Sequence, residues 1–194
     1  VGRNQGGDPG FYRAEGAAVT ATARDEAGLA RLRELGATAL QLDVTDAASA
    51  AGLTWPIDGV GFNLAIVNAG VFGPRTNGLE APSADVFDAV MHTNVLGAMR
   101  MLPQIAEALA PGAKLAVISS RMGSIGLRTS AGSGLYRASK AALNSVLKDV
   151  SITLQGRAIC IAFHPGWVRT DMGGADADLD VKDAVADMRR TLAG

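Results

Sequence analysis

The sequence predicts a three-layer α/β fold built on a doubly wound parallel sheet, and three observations predict it. Five short β-rich runs are largely continuous in apolar residues, as strands are when helices cover both faces of a parallel sheet. Between them lie longer stretches whose leucines, alanines and charges recur at helical spacing. The two kinds of segment alternate, β then α. That repetition implies right-handed crossovers, with ligands in the crevice beyond the carboxyl ends of the strands.

In chain order the strands are expected at residues 17–23, 37–42, 62–68, 114–119 and 158–164, and the helices at 26–35, 46–53, 83–109, 134–154 and 181–192. No linker, repeat or low-complexity tract appears, so residues 1–194 are expected to form a single domain. A length of 194 residues with 48% hydrophobic and 19% charged side chains is enough for one sizeable core.

A formal net charge of −1 leaves no positive excess to neutralise a phosphate backbone or an anionic bilayer. No nucleic-acid or membrane partner is therefore expected. The single cysteine, Cys160, excludes an internal disulfide and a cysteine-rich metal cluster, and it fits a reducing compartment, so a cytoplasmic location is expected. No apolar run is long enough to span a bilayer, and the polar, glycine-rich start does not read as an export leader. His92 and His164 stand without neighbouring ligand spacing, and no metal site is expected.

The residues after the five strands are Arg24-Asp25, Asp43-Val44, Asn68-Ala69-Gly70, Ser119-Ser120 and Pro165-Gly166. Each alone reads as a turn, but together they occupy every position where such a sheet binds ligands. The next helix opens with Tyr136-Arg137-Ala138-Ser139-Lys140. An i,i+4 pair shares a helical face, so the Lys140 ammonium can approach the Tyr136 hydroxyl. A nearby cation favours phenolate and would lower an acidity constant that starts near a pKa of about 10, giving a general acid/base. The bland alternative is an ordinary helix surface. Trp167 is a candidate for touching substrate, Trp55 reads as core or pocket wall, and Met99 and Met101 read as packing residues.

The ordered set Asn68-Ala69-Gly70, Asn94, Ser120, Tyr136-x-x-x-Lys140 and Pro165-Gly166-x-Val168-x-Thr170 resembles the short-chain dehydrogenase/reductase family across nearly the whole chain. The stretches 119–125 and 166–172 are similar to its C-factor and sniffer-type carbonyl reductase branch. The resemblance implies a Rossmann-like fold and hydride transfer between a nicotinamide dinucleotide and a carbonyl or alcohol carbon. It implies Tyr136 as proton donor and acceptor, Lys140 on the ribose hydroxyls, Ser120 on the substrate oxygen, and Asn94 fixing a water that links Lys140 to solvent. The common family spacing between serine and tyrosine falls on Gly123, which has no side chain to donate. Ser120 is therefore assigned, with 129–134 as a loop insertion and Ser119 and Ser124 as alternatives. Subunits of the family pair through the helices equivalent to 83–109 and 134–154, so a homodimer or homotetramer is expected.

Arg24 at the end of the first expected strand points to NADP(H), because arginine accommodates a 2′-phosphate; Asp25 beside it leaves NAD(H) possible. Asp43 and Val44 would border the adenine, and Pro165, Gly166, Val168 and Thr170 the carboxamide. The family's glycine-rich loop is matched by Gly2, Asn4 and Gly6, but Asp8 stands where its third glycine belongs, and Pro9-Gly10 would interrupt the first helix. The family's first and last strands have no counterpart in the sequence. Two readings follow: a shortened form of a complete enzyme, or a catalytically weak relative acting as a dinucleotide-sensing or signalling protein.

Overall fold

A computed structural model of the chain describes residues 9–14, 16–170 and 172–193. They form two compact units, one made of the residues up to Asp58 together with those from Pro165 onward, the other of Gly59–His164.

The first unit begins with α1, Pro9–Ala14. Pro9 starts this helix rather than interrupting one, because a proline in the first turn gives up only an amide that has no helical partner there. Strands β1 (Thr20–Ala23) and β2 (Thr38–Gln41) pair in parallel, from Thr20 opposite Thr38 to Ala23 opposite Gln41. Between them runs α2, Glu26–Glu34, whose N-cap Asp25 accepts the Gly28 N–H at 2.7 Å. Leu29 and Leu32 of α2 pack on Ala21, Ala23 and Ala37, a small core matched to small strand side chains. The expected helix at 46–53 is two short ones, α3 (Ala47–Ala51) and α4 (Thr54–Ile57), broken at Gly52. Trp55 of α4 is exposed, not core. After Pro165 comes a looped segment tied by the parallel bridge Val168–Leu179, then α8, Val181–Ala193.

The second unit is a three-stranded parallel sheet in the order β3-β4-β5. The strands are β3 (Phe62–Val67), β4 (Leu109–Ile118) and β5 (Ala158–Phe163). The β4 strand starts five residues earlier than its apolar run suggests, and its pairing with β3 shifts register between Phe62 and Leu64. Pro111 and Gly112, the latter at φ 77°, make that irregularity. Beyond it Val67 faces Val117 and Val117 faces Ala162, so the carboxyl ends of all three strands are level. Among the described residues β1 pairs only with β2, and β3 only with β4.

The long helical stretch is three pieces in line: α5 (Ala84–Met91), a π-helical turn (His92–Leu96) and α6 (Gly97–Glu107). Ser83 caps α5 by accepting the Val86 N–H. Helix α7, Gly134–Thr153, follows β4 after a long connection, residues 119–133, that includes the 3-10 turn Arg121–Gly123. Leu102, Leu115, Val117, Leu143 and Leu147 form the centre of the core between the sheet and helices α6 and α7. Met101 belongs to the buried set, whereas Met99 is half exposed and does not act as a packing residue in the chain.

Candidate active site

The site residues of the second unit converge because β4 ends level with β3 and β5 while α7 runs back beside it. Ser119 is tied to β5 by its N–H, which donates to the Phe163 carbonyl at 2.7 Å. Ser120 follows in an extended conformation and caps the 3-10 turn Arg121–Gly123, its Oγ accepting the Met122 N–H at 3.1 Å. The Ser120 side chain acts on the Tyr136 hydroxyl in the direction that lowers its pKa. Ser119, by contrast, donates its hydroxyl to Asn144 Oδ1 at 2.6 Å, away from the tyrosine. Ser124 caps the following turn, accepting the Leu127 N–H.

Gly123 sits where the turn presses on α7. A Cβ there would lie 2.9 Å from the carbonyl carbon and Cβ of Lys140. A side chain at this position would have to push the turn and α7 apart.

Tyr136 is buried, and its ring stacks on Phe72 with centroids 4.2 Å apart and planes 21° from parallel. The Arg75 guanidinium covers the other partner, 4.7 Å from the Phe72 centroid. Lys140 is 2% exposed; its Nζ lies 5.7 Å from the Tyr136 centroid and donates to the Ile118 carbonyl at 2.8 Å. Burial lowers the Lys140 pKa to about 8. Burial also pushes the Tyr136 hydroxyl up from its ordinary value, opposed by the Ser120 hydrogen bond. The expectation that Lys140 lowers the acidity constant of Tyr136 is thus corrected: desolvation dominates at both groups, and the hydroxyl that favours phenolate is Ser120.

Asn94 lies inside the π-helical turn with no exposed surface. Its Oδ1 accepts the Val71 N–H at 2.7 Å, and its Nδ2 donates to the Val71 carbonyl at 2.8 Å and to Ser139 Oγ at 2.9 Å. Ser139 in turn donates to the Tyr136 carbonyl. Asn94 therefore joins the loop after β3 to the second turn of α7. A Cβ on Gly70 would lie 3.3 Å from Lys140 Nζ and 3.4 Å from Asn94 Oδ1, a tight fit that brings this backbone up against both groups. Asn68 and Ala69 precede it at the end of β3. His164 follows β5, with its pKa lowered by burial and by the Arg121 charge.

In the first unit Arg24 is exposed at the end of β1, while Asp25 is committed to capping α2. Asp43 accepts both the N–H and the hydroxyl of Thr45, and these bonds, with the Arg24 charge, hold its carboxyl below the usual range. Val44 is half-buried beside it. Pro165 and Val168 are buried, and Gly166 and Thr170 partly so. Gly166 adopts φ 90°, and a Cβ there would strike Leu179. Trp167 is half exposed and donates to the Gly173 carbonyl. Gly2, Asn4, Gly6 and Asp8 lie outside the described residues.

Phe72, Ser139 and Asn144 belong to this constellation although the motifs do not single them out. The readable signal for Asn144 is its place four residues beyond Lys140, a third polar side chain on the Tyr136–Lys140 face.

Among the described residues no helix is long and apolar enough to cross a membrane. The family model described as Enoyl-(Acyl carrier protein) reductase matches residues 11–192. The C-signal protein of Myxococcus xanthus is 38% identical over 148 residues, 73% of this chain and 83% of its own length. A solved short-chain dehydrogenase/reductase from Burkholderia multivorans with bound NADP has a TM-score of 0.87 and 30% identity, over 94% of this chain and 83% of that one. The carbonyl reductase Sniffer of D. melanogaster has a TM-score of 0.77 and 30% identity, over 90% and 79%. With a family match spanning residues 11–192, and buried Tyr136 and Lys140 beside a half-buried Ser120 at the strand ends, the chain belongs to the short-chain dehydrogenase/reductase family of NAD(P)-dependent oxidoreductases.

Proposed function

We propose that residues 1–194 act as one dinucleotide-binding domain that transfers a hydride between NADP(H) and the carbon of a small carbonyl or alcohol, with Tyr136 as general acid/base. The observation that carries this reading is the buried Lys140, held by the Ile118 carbonyl at 2.8 Å one helical turn beyond the buried Tyr136, at the strand end that Ser120 follows. A carbonyl oxygen set against both hydroxyls accepts from both. In reduction Tyr136 gives that oxygen its proton, and in oxidation it takes the proton back. Ser120 stabilises the charge that develops there. Lys140 holds the ribose hydroxyls and, as a desolvated amine poised near neutrality, exchanges the proton that Tyr136 loses. Asn94, whose Oδ1 borders Gly70 together with Lys140 Nζ, fixes a water that links Lys140 to solvent.

The residues present fit the dinucleotide. Gly70 leaves a cradle that a Cβ would fill beside Lys140, and Arg24 is exposed at its strand end while Asp25 is occupied. Arg24 would hold the 2′-phosphate, Asp43 and Val44 the adenine, and Asn68, Ala69 and Gly70 the ribose side. Pro165, Gly166, Val168 and Thr170 would hold the carboxamide, and Gly2, Asn4 and Gly6 the diphosphate. The nicotinamide ring supplies or receives the hydride.

Exposed Phe87, Met99 and Ile152 on α5, α6 and α7 support pairing of subunits through these helices, as a homodimer or homotetramer. An unpaired Cys160 fits a cytoplasmic location.

The test is oxidation of NADPH and NADH by the purified chain with a panel of small aldehydes and ketones, repeated with Arg24→Glu. NADPH should be preferred, and the variant should lose that preference by roughly tenfold or more, since a cation at the 2′-phosphate becomes an anion. Failure of every carbonyl to drive oxidation of either cofactor would contradict the reading.

A further inference from the structure

Two groups lie over the ring of Phe72. The Tyr136 ring stacks on it with centroids 4.2 Å apart, and the Arg75 guanidinium carbon stands 4.7 Å from the same Phe72 centroid. A cation over an aromatic face is held by the ring quadrupole. The local sequence brings it there: Gly73, at φ 74°, and Pro74, whose ring fixes its own φ, lie between Phe72 and Arg75 and let the chain fold back. The backbone is tied as well, because the Thr76 carbonyl accepts the Ser133 N–H at 2.9 Å, and Ser133 is the N-cap of α7, three residues before Tyr136. Arg137 braces that junction by donating from Nε to the Gly132 carbonyl at 2.9 Å. Arg75 is exposed, so its charge is fixed one ring away from Tyr136 and faces solvent.

The loops that frame Tyr136 share the sign of this charge. Residues 68–79, after β3, and 119–139, after β4, hold Arg75, Arg121, Arg128 and Arg137 and contain no aspartate or glutamate, in a chain whose net charge is −1. Loops of one sign raise the local concentration of the opposite charge. Arg137 is engaged within its own loop and Arg121 bears on His164, whereas Arg75 is placed against the ring that touches Tyr136.

We propose that Arg75 determines substrate specificity: its guanidinium receives the carboxylate of an oxo acid whose carbonyl oxygen lies at the Tyr136 hydroxyl. The proposal rests on the reading of Tyr136 as acid/base and names the substrate class of that site. A guanidinium and a carboxylate match as planar, bidentate partners. With Phe72 between the cation and Tyr136, the fitting substrate has an apolar spacer about one aromatic ring long between its carbonyl and its carboxylate.

The probes are 4-formylbenzoate and 4-formylbenzamide, which share shape and aldehyde and differ in charge. With NADPH and the full chain, kcat/KM for the acid should exceed that for the amide by about tenfold or more, because charge-assisted hydrogen bonds are the stronger ones. The acid-to-amide ratio should fall to near one in Arg75→Gln and below one in Arg75→Glu. Arg75→Lys keeps the charge without the planar fork and should fall between parent and Arg75→Gln. A disturbed Phe72 or loop would lower both substrates alike and leave the ratio in place, so the ratio separates recognition from structure. Calorimetric titration of the same pair with NADP+ present, which has no hydride to give, reads the preference without turnover. A parent that reduces neither aldehyde but binds the acid in preference, and loses that preference in Arg75→Gln, would contradict the oxidoreductase reading and leave the carboxylate site standing. A ratio near one in the parent, or one that Arg75→Gln leaves unchanged in a chain shown by circular dichroism to be folded, overturns the proposal; the calorimetric ratio decides where neither aldehyde is reduced.

Discussion

The Lys140 ammonium is held by the Ile118 carbonyl at 2.8 Å, so the last residue of β4 fixes the cation one turn beyond Tyr136. The bond satisfies one of its three donors in a site that is 2% exposed, and the remaining desolvation brings its pKa down from 10.5 to about 8. Below pH 8 the lysine is protonated in both folded and unfolded chains, and folding carries the cost of burying the charge. Between about 8 and 10.5 the unfolded chain binds more protons, so stability rises with pH. Denaturant unfolding should show this rise, on the order of 1–3 kcal/mol, in the wild-type chain relative to Lys140→Met. Parallel stability curves for the two across that window would contradict the buried, depressed lysine.

Gly123→Ser places a serine at the spacing common in the family. Its Cβ would lie 2.9 Å from the Lys140 backbone, so the turn and α7 must separate. A stability loss of roughly 1–3 kcal/mol is expected from such overpacking, with turnover falling because Ser120 and Tyr136 ride on the two separated elements. A variant as stable and active as the parent would show that Ser120 is not tied to this contact.

Asn94→Ala removes three hydrogen bonds that join Val71 to Ser139. Buried polar groups left without partners cost about 1–3 kcal/mol each, so the melting temperature should drop by several degrees or more. Asn94→Asp keeps the acceptor for the Val71 N–H but loses both donated bonds, and it should recover only part of the loss. Thermal unfolding that does not distinguish the parent from Asn94→Ala would remove Asn94 as the link between the β3 loop and α7.

The strand ends were the most legible part of the sequence. Each of the five expected strands is present, because continuous apolar runs bounded by glycine and asparagine have few other uses. Leu109-Ala110-Pro111-Gly112 misleads, since proline and glycine read as a break while the chain continues as an irregular stretch of β4. The π-helical turn is invisible for a different reason: His92-Thr93-Asn94-Val95-Leu96 has the composition of ordinary helix, and the bonds its Asn94 makes to Val71 and Ser139 are tertiary. The Tyr136–Lys140 pair is readable from spacing and Ser120 only through the family resemblance, since the common spacing falls on Gly123, while the burial that shifts the Tyr136 and Lys140 acidities depends on side chains far away in sequence. Phe72 lies 64 residues before the ring it stacks on, and no local pattern announces that contact.

The central claim is that the Tyr136 hydroxyl moves the proton. Tyr136→Phe keeps the ring and its stack on Phe72, so the fold should survive while only the hydroxyl is lost. The most direct measurement is the rate of NADPH oxidation by a reactive aldehyde, in parent and Tyr136→Phe chains shown by circular dichroism to be equally folded. A loss of about a hundredfold or more is predicted from removal of a general acid; an unchanged rate in the folded variant would contradict the account.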